Sequence, residues 1–264
     1  MIASSAGRAA SPIEGRRWAL DGVELRHGPY LAKFATGNDE LVAALRLRFE
    51  VFNLELNEGL QSAYASGHDH DEFDAVCDHL IVEHIPSRKV VGTYRLQTGM
   101  TAGENLGYYS QREFDFAPYA KLRPALIELG RACIHREHRS TDVLYLLWRG
   151  IAGYALKHGS RFLIGCSSLT SQDPAHGSAV YKRLFEWQVE DSLRTLPRED
   201  FVMPIVYSST ADDEVPKLLR TYLAIGAKIC GPPALDREFK TIDFLTLLDL
   251  EQLHPRVRTR FFGQ

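Results

Sequence analysis

Two charged residues, Glu128 and Arg131, lie inside an apolar segment near the middle of the chain. The neighbours on both sides, from Ala125 to Ile134, are typical of a buried strand, where an unpaired charge costs several kcal/mol. Successive strand side chains face opposite ways, so a β-bulge at Gly130 is needed to bring both charges onto one face. A buried carboxylate in such a place is a candidate general base, and a structural Glu128–Arg131 ion pair is the alternative.

An arginine is also expected on the core side of the first helix. Apolar residues after Asp39 recur at helical spacing, and Arg48 lies on the same stripe. A guanidinium that faces a core needs an acid, and the acidic run 69–74, which contains Asp71 and Asp74, follows a polar loop. We therefore predict that Arg48 pairs with this run. The alternative is that Arg48 extends to the surface and the acids form a solvated loop.

A basic turn and then a helix follow the central strand. Ser140 or Thr141 is a good N-cap for that helix. The backbone N–H groups of residues 140–144 and the positive end of the helix dipole lie next to Arg136 and Arg139, which suits a phosphate or pyrophosphate. The alternative is that the helix serves packing alone.

The strands and helices predicted around these residues indicate a single mixed sheet in an α/β fold. A strand at 31–35 precedes the first helix, and apolar runs at 79–84 and 90–96 form an antiparallel hairpin. The long polar and aromatic stretch 98–119 is predicted to be a substrate lid. The later elements alternate between strand and helix: strand 162–166, helix about 178–193, strand 202–207, helix 215–225, and closing strands 227–230 and 242–250.

The composition is typical of a soluble globular protein, with 264 residues, 45% of them hydrophobic and 25% charged. We predict an N-terminal extension or early edge element at 1–28 and a single domain at 29–264. The net charge of −3 gives no bias towards nucleic acid, and no signal peptide or membrane span is predicted. The four cysteines form no Cys-x-x-Cys pair, which favours reduced thiols in the cytosol. The histidine spacing predicts no metal site.

Several motifs of the chain carry a resemblance to known enzymes. Four of them occur in the order found in the acyl-homoserine-lactone synthases, a branch of the GNAT acyltransferase superfamily that uses acyl carrier protein: Arg48-x-x-x-Phe52, Asp71-x-x-Asp74, Gly92-x-x-Arg95-Leu96 and Glu128-x-x-Arg131. From about residue 31 to residue 262 the chain resembles the ornithine lipid N-acyltransferases more closely, through further segments: 77–80, 108–110, 113–115, 147–151 and 226–236.

The chain departs from two related patterns. Asp69 stands where the lactone synthases usually have a glutamate, which argues against S-adenosylmethionine as a substrate. Residues 136–141 replace the Arg/Gln-x-x-Gly-x-Gly/Ala loop of the common acetyl-CoA-dependent GNAT enzymes. This replacement argues against an ordinary acetyl-CoA donor.

The chemistry that the resemblance implies is direct aminolysis of a thioester. Glu128 is the implied base, acting directly or through a water, and Arg131 orients it or binds the substrate carboxylate. A main-chain N–H near Cys133, freed where strands separate, is implied as the oxyanion donor. Tyr181 resembles the GNAT tyrosine that protonates the leaving thiol, and a packing role for this tyrosine is the alternative.

The resemblance also implies two binding sites in a GNAT-like α/β fold with a bulged middle strand and helices on both faces. Four residues are implied for the amino-acid pocket, where the arginines bind the α-carboxylate or brace the acids: Arg48, Asp71, Asp74 and Arg95. Six are implied for the acyl-donor site: Cys133, Arg136, Arg139, Ser140, Thr141 and Val143.

The reaction implied is transfer of a 3-hydroxylated fatty acyl group from acyl carrier protein to the α-amino group of ornithine, which gives lyso-ornithine lipid. The phosphopantetheine thioester is then a co-substrate, no cofactor is expected, and the enzyme contacts the inner face of the membrane peripherally through its product. One alternative is synthesis of another N-acyl amino acid or of an acyl-homoserine lactone. A second is a catalytically inactive module that binds lipid or carrier protein.

Overall fold

The computed structural model describes residues 24–207 and 214–263 of the chain. These residues form one mixed sheet with the strand order β1-β2-β3-β4-β5-β6-β9-β7, and β8 pairs with β9. Only the pairing of β5 with β6 is parallel among the strands described. The nine strands are β1 Leu25–His27, β2 Tyr30–Phe34, β3 Asp78–His84, β4 Lys89–Thr98, β5 Leu126–Ile134, β6 Phe162–Leu169, β7 Lys228–Ile229, β8 Ala234–Asp236 and β9 Thr241–Asp249.

Helices cover both faces of the sheet, as predicted. Helix α4 packs with Leu80 and Val82 on one face, whereas α1 packs with Ile81 on the other, because strand side chains alternate. We call these the α4 face and the α1 face. The helices are α1 Asn38–Arg48, α2 Ala63–Ser66, α3 Gly99–Glu104, α4 Thr141–Lys157, α5 Pro174–Arg183, α6 Lys217–Ala224 and α7 Pro255–Phe262. No helix among the described residues has the length and apolar character needed to cross a bilayer.

The predicted bulge in the central strand is present. Between Thr93 and Arg95 of β4, the partner on β5 moves from Cys133 to Gly130, so β5 contains one extra residue. Arg131, not Gly130, adopts the left-handed conformation, with φ 50°. Leu129 and Ala132 pack on the α4 face, so the extra residue leaves Arg131 on the α1 face with Glu128.

Strands β5 and β6 separate just beyond Glu128. Their pairing ends where Glu128 lies opposite Ile164. At Gly165 the two backbones are still so close that a Cβ would lie 2.2 Å from the carbonyl oxygen of Leu129, which only glycine permits. Beyond this point a cleft opens between the two strands.

The stretch 98–119 is not a loose lid. Its aromatic residues Tyr108, Phe114, Phe116 and Tyr119 are buried and form a core cluster against the α1 face of β6 and β9. The prediction of a lid was wrong because this length of chain contains enough apolar surface to pack as part of the domain.

Two later elements also differ from the sequence prediction. The helix expected at about 178–193 is α5, which ends at Arg183 and is followed by short 3-10 turns. Residues 202–207 are not a strand: a single bridge joins Val202 to Ala234, and the N–H of Val206 donates to Ser178 Oγ. Pro204 has no N–H to give to a ladder, so sheet pairing cannot continue there.

The segment 1–28 lies partly within the sheet. Strand β1 is the edge strand and pairs with β2, which agrees with the alternative of an early edge element. The rest of the predicted extension, residues 1–23, lies outside the described residues.

Candidate active site

A cavity of about 270 Å³ lies where β5 and β6 separate. Residues 129–132 of β5 and 165–168 of β6 line its middle. On the α4 side the wall is mostly apolar and contains Tyr94, Leu96, Trp148, Leu163, Tyr222 and Leu248. On the α1 side the wall is polar and contains Glu58, Arg95, Gln97, Tyr109, Ser110, Glu128, Arg131, Asp236 and Asp243. The cavity therefore connects an apolar compartment to a charged one.

Glu128 lines the polar wall at the last pairing of β5 with β6, where the cleft begins, and is only 5% exposed. Its Oε2 accepts hydrogen bonds from Gln97 Nε2 at 2.7 Å and from the N–H of Tyr109 at 2.8 Å. Its Oε1 accepts one from the N–H of Ser110 at 2.8 Å. A carboxylate has about four lone-pair sites, so the three donors fix its orientation and leave room for a substrate proton.

The predicted partner of Arg48 is confirmed. Arg48 is fully buried; its Nε donates to Asp69 Oδ2 at 3.0 Å, and its Nη1 and Nη2 donate to the two oxygens of Asp74 at 2.6 and 3.2 Å. Asp71 Oδ1 and Asp74 Oδ2 also form a capping box at the start of the turn Glu72–Ala75. Neither Arg48 nor Asp74 lines the cavity. Their position therefore agrees with a role in holding the network in place rather than with substrate contact.

Two further arginines extend this network to the cavity wall. Arg95 Nη1 donates to Asp71 at 2.5 Å and to Asp74 at 3.0 Å. Arg131 Nη2 donates to Asp71 Oδ2 at 3.0 Å and to the hydroxyl of Tyr109 at 3.3 Å. Three arginines and three aspartates thus alternate, and the network as a whole carries no net charge. Arg95 and Arg131 are its members that line the cavity.

Electrostatics within the network favours ionised acids. Burial acts to raise the pKa of Asp74, but Arg48 and Arg95 outweigh it and hold that pKa well below its usual range. Burial also opposes ionisation of Asp71, and Arg95 and Arg131 outweigh it there, so the pKa of Asp71 is lowered too. Among the described residues, no hydrogen bond or ion pair joins Glu128 to Arg131, so the alternative of a structural Glu128–Arg131 pair was wrong.

A second group of acids was missed by the sequence analysis. Glu58, Asp236 and Asp243 line the α1 side of the cavity. Glu113 does not line it but lies beside Asp243 and Cys166, and we call these four acids the acidic pocket. Burial, and then Asp243 and Asp236, raise the pKa of Glu113 well above its usual range. Burial is the main reason that the pKa is about 6 for Asp243 and about 7 for Glu58. Asp243 interrupts the apolar run 242–250, which is the same signal that singled out Glu128.

The predicted donor-site residues surround the start of α4. Ser140 is its N-cap, and Ser140 Oγ accepts from the N–H of Val143 at 3.4 Å. The side chains of Cys133 and Val143 are buried in the core, so these two residues can offer only backbone groups to a ligand. Thr141 is exposed, as are Arg136 and Arg139. Arg139 forms an ion pair with Glu55 at 2.7 Å.

Tyr181 lies apart from the cavity. It is half-buried on α5 and packs against a separate cluster that includes Val180, Leu184 and Leu219. It is absent from the cavity wall, so a catalytic role finds no support in this geometry, and the packing alternative agrees with it. Two other tyrosine hydroxyls, of Tyr94 and Tyr222, do lie in the wall and are hydrogen-bonded to each other.

Comparison with known proteins agrees with this fold. A family model described as an acetyltransferase (GNAT) domain matches residues 47–149. An N-acyl amino acid synthase from uncultured soil microbes, FeeM, superposes with a TM-score of 0.51 and 11% identity over 84% of this chain and 91% of that chain. The GNAT-like fold predicted from the sequence is confirmed.

Two relatives are similar over almost their whole length. The L-ornithine N(alpha)-acyltransferase of Agrobacterium fabrum (strain C58) is 33% identical over 92% of this chain and 89% of its own. The L-ornithine N(alpha)-acyltransferase of Brucella abortus (strain 2308) is 32% identical over 88% of each chain.

Proposed function

Since the chain belongs to the family of the L-ornithine N(alpha)-acyltransferases, we propose that it acylates the α-amino group of ornithine. The proposed donor is a 3-hydroxylated fatty acyl thioester of acyl carrier protein, and the proposed product is lyso-ornithine lipid. Such a product has one acyl chain and a charged head, so we further propose that it brings the enzyme into peripheral contact with a membrane surface.

One observation carries the proposal: a single cavity joins an apolar wall to a charged wall, and Glu128 lines the charged wall where the cleft between β5 and β6 begins. An N-acyl amino acid has the same division, with a hydrocarbon chain on one side of the new amide bond and charged groups on the other. The acyl chain would lie on the α4 side, near Trp148 and Leu163, and the amino acid on the α1 side. The bond would then form beside the carboxylate.

The reaction moves one proton from the amine nitrogen to the leaving sulfur and breaks one C–S bond. The neutral α-amine attacks the thioester carbonyl carbon, and Glu128 accepts a proton from the nitrogen directly or through a water. The carbonyl oxygen becomes negatively charged, and those backbone N–H groups of residues 129–132 that point to the β6 edge, where pairing has ended, would stabilise it. Collapse of this intermediate breaks the C–S bond, and the proton that Glu128 accepted passes to the leaving thiolate, directly or through water, to give the thiol of the carrier.

The separated strands also offer a place for the phosphopantetheine arm. An extended arm can lie between β5 and β6 and form hydrogen bonds with their unpaired edges. Its phosphate would then lie near the start of α4, where Arg136 and Arg139 are exposed. An acidic carrier protein would dock on these arginines.

The test is an acylation assay with the purified protein. It is incubated with 3-hydroxyacyl carrier protein and an equimolar mixture of amino acids, and the products are identified by mass spectrometry. We expect N-acyl ornithine together with free carrier thiol in equal amount. Acylation of a different amino acid, formation of a homoserine lactone, or carrier binding without thiol release would each contradict the proposal.

A further inference from the structure

We propose that the acidic pocket binds the side-chain ammonium of the acceptor amino acid through Asp243, with Glu113 beside Asp243 adding negative charge. This inference rests on the proposed function, because it assigns a binding site to one part of the proposed acceptor. It gives these residues a role in choosing a diamino acid over a simple amino acid.

The first support is an unpaired oxygen. Asp243 is only 4% exposed and lines the cavity, and its Oδ1 accepts no hydrogen bond from the described residues. Thr241 donates to its Oδ2 at 3.2 Å, and the side chains of Ser168 and Glu113 also interact with this carboxyl. A buried acceptor that lacks a donor is unfavourable, and it becomes favourable when a ligand supplies the donor.

The second support is the contrast between the two groups of acids. Every aspartate of the arginine network forms an ion pair with an arginine, whereas no described lysine, arginine or histidine forms an ion pair with Glu113, Asp236 or Asp243. Glu113 is 2% exposed, so its carboxyl is desolvated as well. A compact cation that enters this pocket would supply the positive counter-charge that these acids lack.

The third support is the position of the pocket relative to the proposed base. Glu128 on β5, Cys166 on β6 and Asp243 on β9 all face the α1 side, and these three strands are consecutive in the sheet. Cys166 Sγ lies 3.8 Å from Glu113 Oε2, and Glu128 also acts on the thiol electrostatically. The acidic pocket is therefore on the β9 side of Glu128.

The opposite side of Glu128 carries the arginines. Arg95 pairs with Gly130 across the β4–β5 ladder, and the buried Nη2 of Arg95 has no hydrogen-bond partner among the described residues. An α-carboxylate near Arg95 and Arg131, an α-amine at Glu128 and an ammonium at Asp243 would place the three charged groups of a diamino acid in chain order. This order assigns each charged group a partner of the opposite sign.

A divalent cation is the competing ligand. Three possible ligand atoms, one from each of Glu113, Cys166 and Asp243, lie within 4.8 Å of one another, which is compact enough for a metal ion. Burial and the neighbouring acids raise the pKa of the Cys166 thiol, which opposes the thiolate that a metal would bind. We therefore favour the ammonium, and the test includes the metal as an outcome.

The experiment compares L-ornithine with L-norvaline, which has the same carbon chain without the ammonium. Acylation of each by the purified protein is measured after dialysis against a chelator. We expect wild type to show a KM for ornithine at least about tenfold below that for norvaline, the range that a desolvated charged contact provides. Asp243→Asn and Glu113→Gln should raise the ornithine KM about tenfold or more and leave the norvaline KM unchanged or lower.

Glu186→Gln is the matched control, because Glu186 is an exposed glutamate outside the cavity wall, and it should leave both KM values unchanged. Melting curves of the two amide variants should not shift downward, since each amide removes a desolvated acid. Equal KM values for ornithine and norvaline in wild type, or equal changes for both in Asp243→Asn, would overturn the inference while the acyltransferase proposal stands. Ornithine selectivity that is lost on chelation and restored by Mg²⁺, Mn²⁺ or Zn²⁺ would overturn it in favour of a metal site. If neither amino acid is acylated, the proposed function fails. Calorimetry then tests the pocket separately, by comparing the binding of ornithine with that of norvaline.

Discussion

Arg131 donates to Asp71 Oδ2 at 3.0 Å, although the sequence suggested Glu128, three residues earlier on the same strand, as its partner. The bulge that turns Arg131 onto the α1 face also places it beside Asp71. Glu128 is held instead by neutral donors, namely one side-chain amide and two backbone N–H groups.

Replacement of Glu128 tests its role as the base. Glu128→Gln should lower kcat about 100-fold or more, because the amide cannot accept the amine proton. It should also lower the melting temperature, because an amide NH₂ would face one of the backbone N–H donors that now bind Glu128. The control is Gln97→Met, which removes one donor and keeps the carboxylate, and should leave kcat within about tenfold. Equal kcat losses in variants with equal losses of stability would point to a structural role.

Two aspartates that the sequence treated alike should behave differently. Asp74→Asn leaves the fully buried Arg48 without its bidentate partner and should cost about 3–5 kcal/mol of stability. Asp71→Asn should mainly raise the KM for the amino acid, because Asp71 orients Arg95 and Arg131 at the cavity wall. Chemical denaturation and steady-state kinetics of both variants check this. A KM effect in Asp74→Asn with unchanged stability would contradict the bracing role.

Removal of a single hydroxyl tests whether Tyr181 or Tyr222 contributes to catalysis. Tyr181→Phe should leave kcat within about twofold, since Tyr181 is absent from the cavity wall. Tyr222→Phe is the comparison, because its hydroxyl lies in the wall and bonds Tyr94. A loss of kcat in Tyr181→Phe that exceeds the loss in Tyr222→Phe would restore the sequence-based role of Tyr181 as the thiol acid.

Docking of the carrier protein should depend on charge near α4. Arg139→Glu should raise the KM for acyl carrier protein several-fold, and added salt should weaken carrier binding to wild type. Arg194→Glu is a matched control, because the Arg194 side chain is 47% exposed and paired with an aspartate, whereas that of Arg139 is 45% exposed and paired with a glutamate. An unchanged KM in Arg139→Glu, together with carrier binding that is insensitive to salt, would contradict this docking site.

Stability should depend on pH through Glu58. Burial raises the pKa of Glu58 from 4.5 to about 7 in the folded chain, so the folded state binds an extra proton between these values. Its contribution to the free energy of unfolding is therefore fully present below pH 4.5 and is lost as the pH rises through about 7. The loss is up to about 3 kcal/mol. Denaturation of wild type and Glu58→Gln at pH 4.5 and 7.5 measures it, and a difference between the two proteins that does not change with pH would contradict the prediction.

The sequence by itself determined the local features of this protein. Helical spacing placed Arg48 on the core side of α1, and a guanidinium there requires an acid, so its pairing with the acidic run followed. An apolar run interrupted by charge identified β5, and the alternation of strand side chains required the bulge. Ser140 capped α4 as predicted, because a cap depends on neighbours only three residues away.

The tertiary structure decided which distant residues share the cavity. Glu128 and Asp243 are 115 positions apart in the chain, and only the strand order β5-β6-β9 brings them to the same wall. The same order excluded Tyr181, whose helix packs against another part of the sheet. Local patterns report what a residue needs from its neighbours, such as a cap, a buried face or a counter-charge. They do not report which strands become adjacent, because that choice is made by burial of apolar surface over the whole chain.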